Sequence, residues 1–216
     1  MSERLITVRG TGRASAAPDE IHLLLALDAR HVQYEEAMSL AAAQQEGVRR
    51  ALASCCVADD ALKTTAFHVT TEYESEPDER GSYVSRFCGY RCAHELRISL
   101  PMDMACLSTV LAALSASGSA PAVTIRFTVR DADALKDEVL SCAARNARRK
   151  AELLAQASGV RLGALCAIEH TWSDDAVYAP TDVARTLKHA PRAANLVFTP
   201  DDVTLSDTVA FTWYIE

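Results

Sequence analysis

Two long runs of alternating apolar and polar residues constrain this chain more than any other feature. Over 62–74, Phe67, Val69, Thr71 and Tyr73 share one face, and over 84–100 the even positions Val84, Cys88, Tyr90, Cys92, Leu96, Ile98 and Leu100 share another. Between them lies Ser75-Glu76-Pro77-Asp78-Glu79-Arg80-Gly81-Ser82, a charged connector with proline and glycine. A period of two requires strands, and a short turn-forming connector sends the chain straight back, so the pair predicts a long antiparallel β-hairpin with a solvated tip. All-helical and purely parallel α/β folds are thereby excluded. Pro101 closes the second arm.

The rest of the chain fits around that hairpin. Leu5 to Arg9 alternates and is expected to end at a Gly10-Thr11-Gly12 turn. The run 21–29 places Ile21, Leu23, Leu25 and Leu27 on one face with Leu24 and Ala26 on the other, as in a central strand covered on both sides. From about Gln33 the period changes, and Ala37, Leu40, Ala41, Gln44, Val48, Ala51 and Leu52 predict a helix of about five turns. Asp103 is the expected N-cap of a second helix with Met104, Leu107, Val110, Leu111 and Leu114 inward, ending at Ser117-Gly118. A strand with Val123, Ile125, Phe127 and Val129 facing in and Thr124, Arg126 and Thr128 facing out leads to the longest helix. That helix is capped by Asp131 or Asp133 and closed by Gly159. A strand over 160–170 follows. The span 171–195, with Pro180 and Pro191, shows no sustained period and reads as a long loop or an ordered excursion. The last strand carries Val203, Leu205, Val209, Phe211, Trp213 and Ile215. The order ββ-α-ββ-α-β-α-β-β lacks regular βαβα alternation. It predicts a two-layer α+β fold over 1–216, a single domain with three helices on a mostly antiparallel sheet.

Charge narrows the partners. With 22 Lys and Arg against 29 Asp and Glu, the net charge is −7, so the chain lacks the general attraction to phosphate backbones that nucleic-acid binders use. No apolar run is long enough for a membrane span, and the start Met1-Ser2-Glu3-Arg4 has no signal-peptide character. Seven cysteines, at 55, 56, 88, 92, 106, 142 and 166, form an odd set scattered through apolar segments. They are expected to be reduced, mostly buried thiols, which points to the cytoplasm.

Several short motifs coincide in order. Ile6-Thr7-Val8-Arg9-Gly10-Thr11-Gly12 followed by Pro18-Asp19-Glu20, then Leu62-Lys63-Thr64, then Ala147, Lys150-Ala151, Leu154-Ala155, Gly159-Val160 and Leu162-Gly163, and finally Pro200, Val203, Val209, Phe211 and Tyr214, together resemble the SIMPL-domain family of YggE-like proteins. The resemblance implies an α+β fold, homo-oligomeric assembly and no established catalytic activity. It also implies an association with envelope integrity, oxidative-stress tolerance and, in one eukaryotic member, a kinase partner. Family members are usually exported, and this sequence departs from them in its missing leader and its cysteine count.

Residue by residue, no catalytic, cofactor-binding or metal-binding set emerges, and an enzyme is not expected. Cys88-x-x-x-Cys92-x-His94 has the right donors for zinc. On one strand, however, positions 88 and 92 lie about 13 Å apart, too far to share a tetrahedral ion. Cys55-Cys56 sits at a helix C-terminus, where the dipole disfavours a thiolate. Cysteines 106, 142 and 166 fall in apolar patterns and read as core. His22, His68, His94 and His170 lie on four predicted strands and form a site only if they share a face. Neither a Gly-x-Ser-x-Gly elbow nor a His-Glu-x-x-His helix occurs. Arg145, Arg148, Arg149 and Lys150 read as a solvated face with an ion pair to Glu152. Glu72, Glu74, Glu76, Asp78 and Glu79 do not match a calcium loop. The leading expectation is a non-enzymatic, self-assembling protein with a stress-related scaffolding role. Alternatives are a thiol-based redox sensor, or a protein that binds a small ligand or partner through 171–195.

Overall fold

The computed structural model describes residues 4–55, 57–77, 83–171, 177–186 and 198–216. Its elements are β1 (Leu5–Ala16), β2 (Glu20–His31), α1 (Tyr34–Ala53), β3 (Leu62–Pro77), β4 (Tyr83–Pro101), α2 (Met104–Ala116), β5 (Ala122–Thr128), α3 (Ala132–Ala157), β6 (Leu162–Glu169), β7 (Asp182–Thr186) and β8 (Val203–Ile215). This is the expected α+β arrangement of three helices on mostly antiparallel strands. The strands form two sheets rather than one, because alternation specifies a strand but not its partner. The chain divides into two compact units.

The first unit takes Met1–Asp19, Thr128–Pro180 and Pro200–Glu216. Its sheet has the order β1-β8-β6, with β1 and β8 antiparallel from Leu5 opposite Tyr214 to Ala16 opposite Val203. Helix α3 lies on it. The side chain of Asp131 accepts from the Ala134 backbone N–H at 2.9 Å, which satisfies one orphan donor and fixes the start of the helix. A stripe of Ala143, Ala147 and Ala151 then packs against Val8, Val209, Phe211 and Trp213. Gly10-Thr11-Gly12 is not a turn: β1 runs straight through it. A Cβ at Gly10 would collide with the Ala143 carbonyl, and one at Gly12 with that of Val139, so both glycines exist to let a helix backbone approach the strand. Gly159 ends the helix with φ +71, the left-handed C′ position expected of it.

The second unit takes Glu20–Phe127 and Thr181–Thr199, with the sheet order β3-β4-β2-β5-β7. Ile21, Leu23, Leu25 and Leu27 are buried as expected, together with Leu96, Ile98 and Leu100 and with Val123, Ile125 and Phe127. Helices α1 and α2 cover this face through Ala37, Ala41, Val48 and Leu52 and through Leu107, Val110, Leu111 and Leu114. Asp103 caps α2, accepting from Ala105 and Cys106 backbone N–H groups. The other face of β2 is less covered than predicted, with Ala26 exposed and Leu24 half-buried. Leu40 is also exposed, although the helical stripe placed it inward.

The span 171–195 is not simply a loop. It supplies β7, which pairs with β5, while 172–176 and 187–195 lie outside the described residues. A five-residue strand offers too few positions for its period to register in the sequence. Val177 and Ala179 are buried, and the Thr128 hydroxyl donates to the Val177 carbonyl, which is why Thr128 is buried rather than facing out.

Candidate functional site

The outer half of the β3–β4 hairpin is the most distinctive surface. Strand β3 is an edge strand of sixteen residues, none of them buried. The inner half of β4 is different: Cys92, His94, Leu96, Ile98 and Leu100 are buried beneath the helices. Beyond Cys92 the hairpin extends past that cover. A register shift between Glu72 and Tyr73 skips Cys88, so that Glu72 opposes Gly89 while Tyr73 opposes Phe87. Gly89 carries φ +142, and a Cβ there would come within 2.6 Å of the His31 carbonyl oxygen. The bulge therefore needs a glycine, and it switches which side chains share a face.

Because of that switch, Phe87 joins Tyr90. Tyr34 meets Tyr90 with ring centroids 5.5 Å apart, Tyr90 meets Phe87 at 5.4 Å, and Phe87 meets Tyr73 at 5.8 Å, all edge-on. Edge-to-face contact at this spacing suits the aromatic quadrupole. The strict even parity expected of the apolar face is corrected here: Val84 pairs with Glu76 on the opposite face, and Cys88 is the bulged residue. Tyr73 is 58% exposed and Tyr83 is 78% exposed, so this row is not core.

The reverse face of the arm is charged. Asp28 accepts from Arg30 and Arg91 at 3.1 Å, and Glu72 lies 3.4 Å from Arg30. Farther out, Arg86 pairs with Glu76 at 3.5 Å. Partial burial alone would raise the Asp28 pKa, but the hydrogen bonds from Arg30 and Arg91 outweigh it and hold the carboxyl below its usual value. The arm is thus amphipathic, with an ion-pair network on one side and an uncovered aromatic row on the other. Such an arrangement can bind a surface; it presents no nucleophile and base.

The candidate residues from the sequence do not converge. His22, beside Glu20 at 3.1 Å, and the exposed His68 face away from the helices, whereas His94 is buried under them. The Thr64 hydroxyl lies 3.2 Å from His94 Nε2, and burial pushes this imidazole's pKa down. His170 is just past β6 rather than on it, and Asp207 holds it at 2.7 Å in the first unit. Cys92 is buried with its Sγ 3.8 Å from Met38 Sδ, and burial raises its pKa. Burial, Asp103 and Cys55 raise that of Cys106 as well, which moves both thiols away from the reactive thiolate. Cys55 is half-buried, its Sγ donating to the Ala51 carbonyl at 3.3 Å, while Cys56 lies outside the described residues. Cys166 is exposed and Cys106 and Cys142 are half-buried, so the expectation that these three are core fails. β6 is an edge strand, and its apolar pattern has no second layer over it. Among the described residues, no group of three metal-ligating side chains comes together. The connector residues 78–82, with Asp78 and Glu79, lie outside the described residues. On α3, Arg148 pairs with Glu152 at 2.9 Å as expected, and Lys150 donates to the Arg9 carbonyl.

Sequence reasoning missed the aromatic row because it assumed unbroken alternation. The signal was Gly89 itself, a glycine inside a strand pattern. It also missed Tyr34, whose partner Tyr90 lies far away in sequence.

No helix is long and apolar enough to cross a membrane among the described residues. The chain belongs to the SIMPL family, described as a protein of unknown function (DUF541), whose sequence pattern matches residues 6–213. No curated protein matches it.

Proposed function

We propose that this protein is a non-enzymatic, self-assembling scaffold whose β3–β4 arm is the contact between identical subunits. One observation carries the reading: a sixteen-residue edge strand with no buried residue adjoins an aromatic row that nothing in the described chain covers. Long apolar edges left open are aggregation sites, and native proteins cover or blunt them. The charge along β3 favours a second copy as the cover. Lys63 stands at one end and Glu72, Glu74 and Glu76 at the other, so two β3 strands paired antiparallel bring each positive end against a negative one. Parallel pairing would align like charges. Such a contact is two-fold and self-complementary. The unpaired thiols of the six described cysteines fit a reducing compartment, and we place the assembly in the cytoplasm, in a stress-related role.

Light scattering after size exclusion tests this. A defined oligomer that becomes a folded monomer on Tyr73→Ser with Phe87→Ser supports the reading; a monomeric parent chain sinks it.

A further inference from the structure

The face of the five-stranded sheet turned away from α1 and α2 holds a second unusual group of side chains. The register sets Lys63 of β3 directly opposite Arg97 of β4. On the other flank Leu24 of β2 opposes Arg97, and His22, two residues earlier on the same face, is the diagonal neighbour. Like charges placed directly across a sheet repel. Neither cation is answered within the chain: among the described residues Lys63 and Arg97 make no ion pair or hydrogen bond, and Arg97 Nε is buried with no partner. A buried guanidinium N–H left unmade is costly, and a sheet face that keeps one usually has something to bind it.

The remaining charges on this face are limited. Glu20 is engaged with His22 at 3.1 Å. Glu95 lies two residues before Arg97 on the same face, opposite Ala26 and Ala66, and is exposed. Arg126 of β5 pairs with Asp182 at 3.6 Å. Burial first, and then Arg97, lower the His22 pKa against the pull of Glu20, so its imidazole is neutral near pH 7. The local charge is then carried by Arg97 and Lys63.

We propose that Arg97, Lys63 and His22 form a site for a small doubly charged oxyanion of the phosphate type. Arg97 gives its Nε–H and a forked guanidinium, Lys63 gives a mobile point charge from the edge strand, and His22 borders the site as a neutral, polar wall. Two cations match a dianion, whereas a monocarboxylate leaves one of them unanswered. Glu95 weakens the site from its rim. The site does not use the aromatic row, so it stands or falls independently of the assembly.

The experiment is a titration of the full chain with inorganic phosphate at constant ionic strength, read by the His22 ring resonances and by thermal unfolding. The expected result is a saturable shift with a matching rise in Tm, and a much smaller response to acetate. Arg97→Gln should weaken binding about tenfold or more, Lys63→Ala several-fold, and Glu95→Gln should tighten it. Lys63 is exposed, so its variant folds whether or not Arg97→Gln does. A shift that stays linear, an equal response to acetate, or unchanged affinity in Lys63→Ala overturns the proposal.

Discussion

Strand β1 under α3 and the outer β3–β4 arm are both regular, alternating strands, yet one is closed by its own helix to backbone distance and the other is open. The residues differ in size in a way that matches. Gly10, Gly12 and Ala14 lie where a helix must come close, whereas Tyr73, Tyr83 and Phe87 lie where no element of the described chain comes. Alternation marks a face that will be covered. Side-chain size tells what covers it: small residues admit a backbone from the same chain, and large flat ones offer area to something arriving from outside.

That contrast can be broken most severely at β1. Gly12→Val puts a side chain into the Val139 carbonyl and should cost about 3 kcal/mol or more in urea unfolding. Gly159→Ala, strained by φ +71 but facing open space, should cost only about 1 kcal/mol. If the two variants are equally mild, α3 does not sit on β1 as described. Next in size, Asp131→Ala removes the cap of α3 and should cost about 1 kcal/mol in the same assay. The arm should behave oppositely. Tyr73→Ser with Phe87→Ser should change the stability of the dissociated chain by less than about 0.5 kcal/mol, because both rings are exposed, while removing any self-association. A large loss of stability instead would mean the row is part of the core.

The smallest effect is expected at Asp28, on the charged side of the arm. Its folded pKa lies below the unfolded one, so its contribution is fully present above the unfolded value and is lost as pH falls through the folded value. The group is 38% exposed, which limits that contribution to a few tenths of a kcal/mol. Asp28→Asn should therefore be slightly less stable than the parent at neutral pH. The two stability curves should converge in acid.

How much of this could be read from the sequence varies with the length and regularity of each pattern. Helices α1, α2 and α3, their caps at Asp103 and Asp131, and the buried face of β2 follow from periodicity and from capping chemistry, which act within a few residues. What failed depends on distant partners. Gly10-x-Gly12 looks like a turn until the helix above it is known. The apolar pattern of β6 looks like core until its position at a sheet edge is known. The aromatic row needed the bulge at Gly89, and β7 was too short to declare itself. For the candidate surface, composition correctly drew attention to the hairpin but assigned Phe87 to the wrong side of it.

The pairing of β1 with β8 has a consequence for the order in which the protein is made. Leu5 meets Tyr214 and Ala16 meets Val203, so the first unit is assembled from segments at both extremes and the middle of the polypeptide. The second is nearly contiguous from Glu20 to Phe127. A ribosome that has released residue 127 has delivered nearly all of the second unit, while β1 still waits for a strand not yet synthesised. Nascent chains arrested before residue 203 should therefore resist protease over 20–127 and leave β1 open to cleavage. Only the last turns of translation let the beginning of the chain find its place.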